Sequence, residues 1–122
     1  MNGLSYLLDT NTIIGLLKGN DEAISILSGI SLPACGFSAI TRMELLSYPD
    51  LAMDEEQAIN RLLDRMTHLA ISPLIEDLTI QFRHQHRVKL PDAIIAATAT
   101  AHDIKLLTLD KKLAVKLQGQ FV

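Results

Sequence analysis

Four acidic residues lie at, or soon after, the end of a predicted strand or the start of a predicted helix. Asp9 and Asp110 each follow a short apolar run, and Asp92 opens an almost wholly apolar helix. Glu44 lies in a helix that follows a further short strand. The carboxyl ends of parallel strands meet at one edge of a sheet, where open α/β proteins bind their ligands. We therefore expect these four side chains to converge.

Convergent carboxylates point to a metal ion. Several carboxylates in a partly dry cleft repel one another, and the pKa of each is raised unless a cation intervenes. Ligation by carboxylates, without His or Cys, suits Mg²⁺ or Mn²⁺. Such an ion polarises a phosphoryl oxygen, activates a bound water and stabilises the leaving alkoxide. The acids therefore predict a site for phosphodiester hydrolysis with one or two metal ions.

Two of these acids also have an ordinary structural explanation. Aspartate is a favoured residue at a helix N-terminus, where it stabilises the fold by roughly 0.5–2 kcal/mol. That explanation suits Asp92 and Asp110. It does not suit Glu44, which lies beyond the first turn of its helix and beside the apolar Met43 and Leu45. Glu44 is therefore the acid that most favours a partly buried site.

The elements that must position the acids alternate along the chain. Short strands are predicted at residues 4–8, 33–37, 68–72 and 104–108, with a further edge strand at 121–122 and helices between them. Strands this short, joined through helices, require crossover connections and hence a parallel sheet. We expect a three-layer α/β/α fold with a short, mainly parallel sheet of four to five strands. Residues 1–122 form one domain.

The composition narrows the class of protein. The chain is 48% hydrophobic and 4% aromatic, which is typical of an aliphatic α/β core. A net charge of −3 gives no general attraction to nucleic acid, so a polyanion must be held by a local basic patch or by metal ions. Cys35 is the one cysteine, and we expect it to be a buried free thiol. Without a basic leader or a long apolar segment, the chain is predicted to be cytoplasmic, with no membrane contact.

Five cations near the acids in sequence are candidates for holding RNA phosphates: Arg42, Arg83, Arg87, Lys89 and Lys111. Such contacts are electrostatic and sensitive to salt. The simpler alternative for the group between residues 83 and 89 is a solvated helix end, whose basic residues favour the negative end of the helix dipole. His84 and His86 are two residues apart and make a poor metal pair on a helix.

Four segments together resemble the motifs of the PIN domain family, and in particular its small VapC-like toxins of type II toxin–antitoxin systems. The segments are residues 7–11, 38–45, 90–99 and 106–110. The resemblance implies a Mg²⁺- or Mn²⁺-dependent endoribonuclease that acts on RNA, is held inactive by a cognate antitoxin and often forms a homodimer. By this match, Asp9, Glu44 and Asp92 correspond to the core metal ligands and Asp110 to a more variable fourth acid.

The same match assigns Asn11 and Thr108 to the support of the site, as polar residues that fix carboxylates or water. Two positions depart from the family pattern. Lys111 follows Asp110 where many relatives carry an aromatic residue, which bears on how tightly Asp110 binds metal. Tyr48 lies in the turn after the Glu44 helix, where glycine is common, and this departure concerns a surface more than catalysis.

Two other functions compete with this interpretation. Haloacid-dehalogenase-like phosphatases also begin with a strand followed by Asp-x-Asp-x-Thr, but Asn11 stands at the second acid and would remove the general acid. Alternatively, the chain is a PIN-like module that binds RNA or protein without turnover. The intact Asp9, Glu44 and Asp92 favour an active enzyme over that module.

Overall fold

The computed structural model describes residues 3–120, and their elements follow the predicted alternation. The strands are β1 (Tyr6–Leu8), β2 (Cys35–Ser38), β3 (Thr67–Leu69) and β4 (Lys105–Leu107). The helices are α1 (Thr10–Leu17), α2 (Asp21–Ile26), α3 (Ala39–Leu46), α4 (Met53–Leu63), α5 (Pro73–Gln85), α6 (Leu90–His102) and α7 (Lys111–Gln120). The edge strand predicted at residues 121–122 lies outside the described residues.

The four described strands form one parallel sheet in the order β3-β2-β1-β4. β1 lies in the centre, where Tyr6 is aligned with Cys35 on one side and with Lys105 on the other. Because all the strands run the same way, their carboxyl ends share one edge, which places the starts of α1, α3 and α7 there. The predicted α/β fold with a parallel sheet is confirmed.

Alternate side chains of β1 pack into two separate hydrophobic cores, one on each face of the sheet. Leu7 packs with Phe82, Ala96 and Leu113, which belong to α5, α6 and α7. Leu8 packs on the other face with residues of α1, α3 and α4: Ile13, Leu45, Ile59 and Leu63. This alternation follows from the period of two in a strand. The result is the three-layer arrangement that the sequence predicted.

Local polar groups set where the helices begin. Ser38 caps α3 by accepting a hydrogen bond from the Ile40 N–H at 3.2 Å. Ser72 caps α5 through the Ile75 N–H at 3.2 Å, with Pro73 at the first helical position. That cap explains why β3 ends at Leu69, whereas the sequence extended it to residue 72. Ser and Pro favour a helix start over a strand.

Two predictions from composition concern the fold as a whole. Cys35 is fully buried, as predicted, and burial raises the pKa of its thiol. Within residues 3–120, none of the helices combines the length and the apolar character needed to cross a bilayer.

Candidate active site

Asp9 ends β1 and caps α1, and both oxygens of its carboxylate have a protein partner. Oδ1 accepts a hydrogen bond from the Thr12 N–H at 2.9 Å, and Oδ2 accepts one from the hydroxyl of Thr108. The side chain is only 5% exposed. Each carboxylate oxygen has two lone pairs, so both can still face a cation. Asp9 is thus fixed in place by the start of α1 and the end of β4.

Glu44 is held by a pair of threonines. The hydroxyl of Thr10 donates to Glu44 Oε1 at 2.6 Å, and the Oγ1 atoms of Thr10 and Thr41 lie 3.1 Å apart. A hydroxyl has one proton, so with the Thr10 proton on Glu44, Thr41 must supply the proton of the second bond. Thr41 is fully buried, and this chain of hydroxyls ties the carboxylate of α3 to the start of α1.

Sequence reasoning did not identify Thr10 and Thr41 as part of the site. A signal was present, because Thr41 lies three residues before Glu44 and therefore on the same face of α3. Thr10 directly follows Asp9, but only the packing of α1 beside α3 shows that its hydroxyl turns to Glu44. Threonines thus support two of the acids in the same manner, Thr108 at Asp9 and Thr10 at Glu44.

Asp92 lies in the first turn of α6 and is partly buried. Its pKa is raised above the ordinary value of 3.8, first by burial and then by the charges of three other acids, Asp110, Glu44 and Asp9. Lys89 acts in the opposite direction and lowers the pKa. Within the described residues the Asp92 carboxylate has no hydrogen-bond partner. The charges of the three other predicted acids therefore all act on Asp92.

Asp110 lies at the same edge of the sheet, and its carboxylate caps a helix. Its Oδ1 caps α7 by accepting hydrogen bonds from the N–H groups of Lys112 at 3.0 Å and Leu113 at 3.1 Å. Its own N–H donates to Thr108 Oγ1 at 2.9 Å, so Thr108 links Asp110 to Asp9. The capping role that the sequence allowed for Asp110 is therefore present, alongside its charge effect on Asp92.

Three of the acids line one polar cleft. Its walls are formed by Asp9, Glu44 and Asp92 together with Thr10, Asn11, Ile14, Ser47, Tyr48 and Pro49. Asp110 is not among these lining residues. Asn11 is exposed at the cleft, and its side chain makes no hydrogen bond within the part of the chain that the structure describes. We refer below to this feature as the acid cleft.

The donor set of the acid cleft fits a hard divalent cation. Its ligating groups are carboxylate and hydroxyl oxygens, which Mg²⁺ and Mn²⁺ prefer. A cation there would offset the repulsion that raises the pKa of Asp92. Between residues 3 and 120, no three Asp, Glu, His or Cys side chains already surround a single point as metal ligands.

The predicted phosphate-binding cations lie in three different places. Arg83, Arg87 and Lys89 line a cleft at the junction of α5 and α6. Lys111 begins α7 beside Asp110. Arg42 lines another pocket with Phe37, Asn60, Leu63, Asp64, Met66 and His68. Arg42 and Glu44 are two residues apart on α3, so they point to different sides of the helix.

The chain is similar to known PIN proteins over most of its length. The PIN domain family model matches residues 6–116. A chain of the toxin–antitoxin complex from Klebsiella pneumoniae is 35% identical, with a TM-score of 0.77 over 88% of each chain. FitAcB from Neisseria gonorrhoeae is 25% identical, with a TM-score of 0.76 over 93% of each chain.

One further solved structure is similar to this chain and supports its fold alone. VapBC-1 from nontypeable Haemophilus influenzae is 24% identical, with a TM-score of 0.77 over 95% of this chain and 94% of that chain. No curated protein matches the sequence. The family match covers all four predicted acids, so it also removes the haloacid-dehalogenase alternative. The chain belongs to the PIN domain family.

Proposed function

We propose that the chain is a metal-dependent endoribonuclease and the toxin of a toxin–antitoxin pair. The observation that carries this proposal is the meeting of Asp9, Glu44 and Asp92 in one cleft, where burial and then the charges of the other acids raise the pKa of Asp92. Family membership supports a nuclease, and the similarity to a chain of a toxin–antitoxin complex supports the biological role.

Asp9, Glu44 and Asp92 would hold one or two Mg²⁺ or Mn²⁺ ions, with Asp110 contributing charge from the edge. When bound, the metal would supply an activated water and charge stabilisation at the phosphodiester. The chain's own task is positioning. Thr108 and Thr10 keep the carboxylates of Asp9 and Glu44 in fixed orientations before any ligand arrives. In this proposal the Asn11 amide faces the cleft to orient water.

The proposed partner is a cognate antitoxin protein. An apolar groove adjoins the acid cleft, and Ile14, Tyr48 and Pro49 line both of them. Leu17 and Leu45 contribute to the groove as well. A partner segment in this groove would lie next to the acids and could block them. Such a surface also suits the burial of apolar side chains at an interface.

A homodimer is the other proposed assembly. The apolar residues Ile24, in α2, and Leu27, at the end of that helix, are candidate contacts if they are exposed. Ile24 is 50% exposed, whereas Leu27 is partly buried, so Ile24 is the better candidate. Sedimentation of the wild type and Ile24→Asp would test this surface, with a lower mass expected for the variant.

Cleavage of a mixed RNA pool tests the proposed activity. We expect cleavage by the wild type in Mg²⁺ or Mn²⁺, and its loss in EDTA and in Asp92→Asn. The matched control is Asp103→Asn, which removes the same charge at the other end of α6, and it should cleave like the wild type. Asp103 has a left-handed φ of 52°, which asparagine accepts. Metal binding without cleavage of any RNA would support the silent binding module instead.

A further inference from the structure

A segment rich in cations and without acidic residues joins α5 to α6. Between Asp77 and Asp92 the sequence contains no acidic residue, although the chain as a whole has a net charge of −3. Arg83, Arg87 and Lys89 are exposed in this interval and line one cleft. Within residues 3–120, no carboxylate forms a salt bridge with either arginine. Their charges are therefore available to a ligand.

Two cationic side chains, Arg83 and Lys116, hold the backbone of this segment in place. Arg83 Nε donates to the carbonyl of Val88 at 3.3 Å across the end of α5. Lys116 of α7 donates through Nζ to the carbonyl of Arg87 at 3.1 Å and adds a fourth positive charge. The ring of His86 packs against Phe82 at a centroid distance of 4.6 Å. We call the group of Arg83, Arg87, Lys89 and Lys116 the basic corner.

The basic corner and the acid cleft each include a residue at the start of α6. Lys89 directly precedes α6 and Asp92 lies three residues later, in the first turn of that helix. A polyanion that lies on the basic corner would therefore extend toward the acids. There, a metal ion held as in the proposed function would neutralise its phosphate charge.

We propose that the basic corner binds the phosphate backbone of single-stranded RNA and guides the strand into the acid cleft. This inference rests on the proposed function for its substrate. The exposed ring of His84 and the half-exposed Ile80 and Leu90 line the same cleft. They offer apolar and stacking surfaces to unpaired bases, which double-stranded RNA does not present. Arg42, in its separate pocket, takes no part in this path.

The test measures RNA binding apart from cleavage. A fluorescent single-stranded RNA is titrated with the full chain in EDTA, and anisotropy is followed at several salt concentrations. Each phosphate contact to single strands contributes about 0.7 to the slope of log K against log salt. The double variant Arg83→Ala/Arg87→Ala should lower that slope by about 1.4 and the affinity by about tenfold. The matched control is Arg61→Ala/Arg65→Ala, which removes two exposed arginines from the opposite side of the sheet.

The control variant should bind like the wild type. If the two double variants have equal affinity for RNA and equal salt slopes, the proposal that the basic corner binds RNA is wrong. Because Arg83 also holds the Val88 carbonyl, Arg87→Glu provides a variant that keeps this bond, and it should bind more weakly than Arg87→Lys. If the wild type fails to cleave RNA but Arg87→Glu loses binding, the nuclease proposal fails and the basic corner stands. If the wild type cleaves and Arg87→Glu binds and cleaves equally well, the reverse holds.

Discussion

Asp9 and Asp92 line the same cleft but are held in opposite ways. Asp9 is almost fully buried, and both of its oxygens accept hydrogen bonds from the protein. Asp92 has no hydrogen-bond partner among the described residues, and burial and neighbouring acids raise its pKa. Asp9 is therefore part of the fold as well as of the site, whereas no hydrogen bond among the described residues stabilises the charge of Asp92, and a bound metal ion would do so.

The largest effect expected from this comparison is on cleavage. Asp9→Asn and Asp92→Asn should each lower the ribonuclease rate by about 100-fold or more, equivalent to about 2.7 kcal/mol of barrier.

The stabilities of these two variants should change in opposite directions. Asp9→Asn loses a charged acceptor and should destabilise the fold by about 1 kcal/mol, and Asp92→Asn should stabilise it at neutral pH. Urea unfolding in the absence of metal measures the free energies of unfolding of both variants. Equal shifts would contradict the difference between Asp9 and Asp92.

A smaller effect on cleavage is expected from the threonines that hold Glu44. Thr10→Val removes the hydroxyl that donates to Glu44, and activity should fall about tenfold, as for other groups that orient metal ligands. Thr41→Val removes only the second bond of this chain and should cost less. Thr100→Val is a suitable control, since its hydroxyl bonds to the Ala96 carbonyl within α6. Activity equal to the wild type in Thr10→Val would show that Glu44 does not need this support.

The smallest effect concerns stability against pH. Because the folded-state pKa of Asp92 is raised above 3.8, its contribution to stability is fully present below pH 3.8 and is lost as the pH rises through the raised pKa. Asp92→Asn lacks this dependence. Its stability advantage over the wild type should therefore grow from acidic to neutral pH in metal-free unfolding curves. An advantage that is constant over this range would mean that Asp92 is not perturbed by its neighbours.

The positions of the acids could be predicted because they follow from topology. Once the strands are parallel, residues that lie shortly after their carboxyl ends, such as Asp9 and Asp110, must share one edge of the sheet. Strand and helix types were also predictable, because apolar spacing and caps such as Ser38 agree with one another. The boundaries of β3 were misplaced because Ser72 and Pro73 serve the next helix.

Other features depend on contacts between distant segments. The bond from Thr10 to Glu44 joins residues 34 apart and exists only because α1 lies beside α3. The hydrogen bonds of Thr108 to Asp9 and Asp110 needed the structure, and the role of Thr108 in supporting the site, which the family resemblance implied, stays a prediction. The basic corner likewise depends on the approach of Lys116 from α7 to the end of α5. The assignment of Asn11 as a support remains a prediction.

Metal binding is the most direct test of the central claim that these acids form one metal site. Titration with Mn²⁺, followed by electron paramagnetic resonance of the free ion, would compare the wild type, Asp92→Asn and Asp103→Asn. Binding should be the same in the wild type and Asp103→Asn and at least about tenfold weaker in Asp92→Asn. If all three bind Mn²⁺ equally, or if none binds it, the acid cleft is not a metal site and the account is wrong.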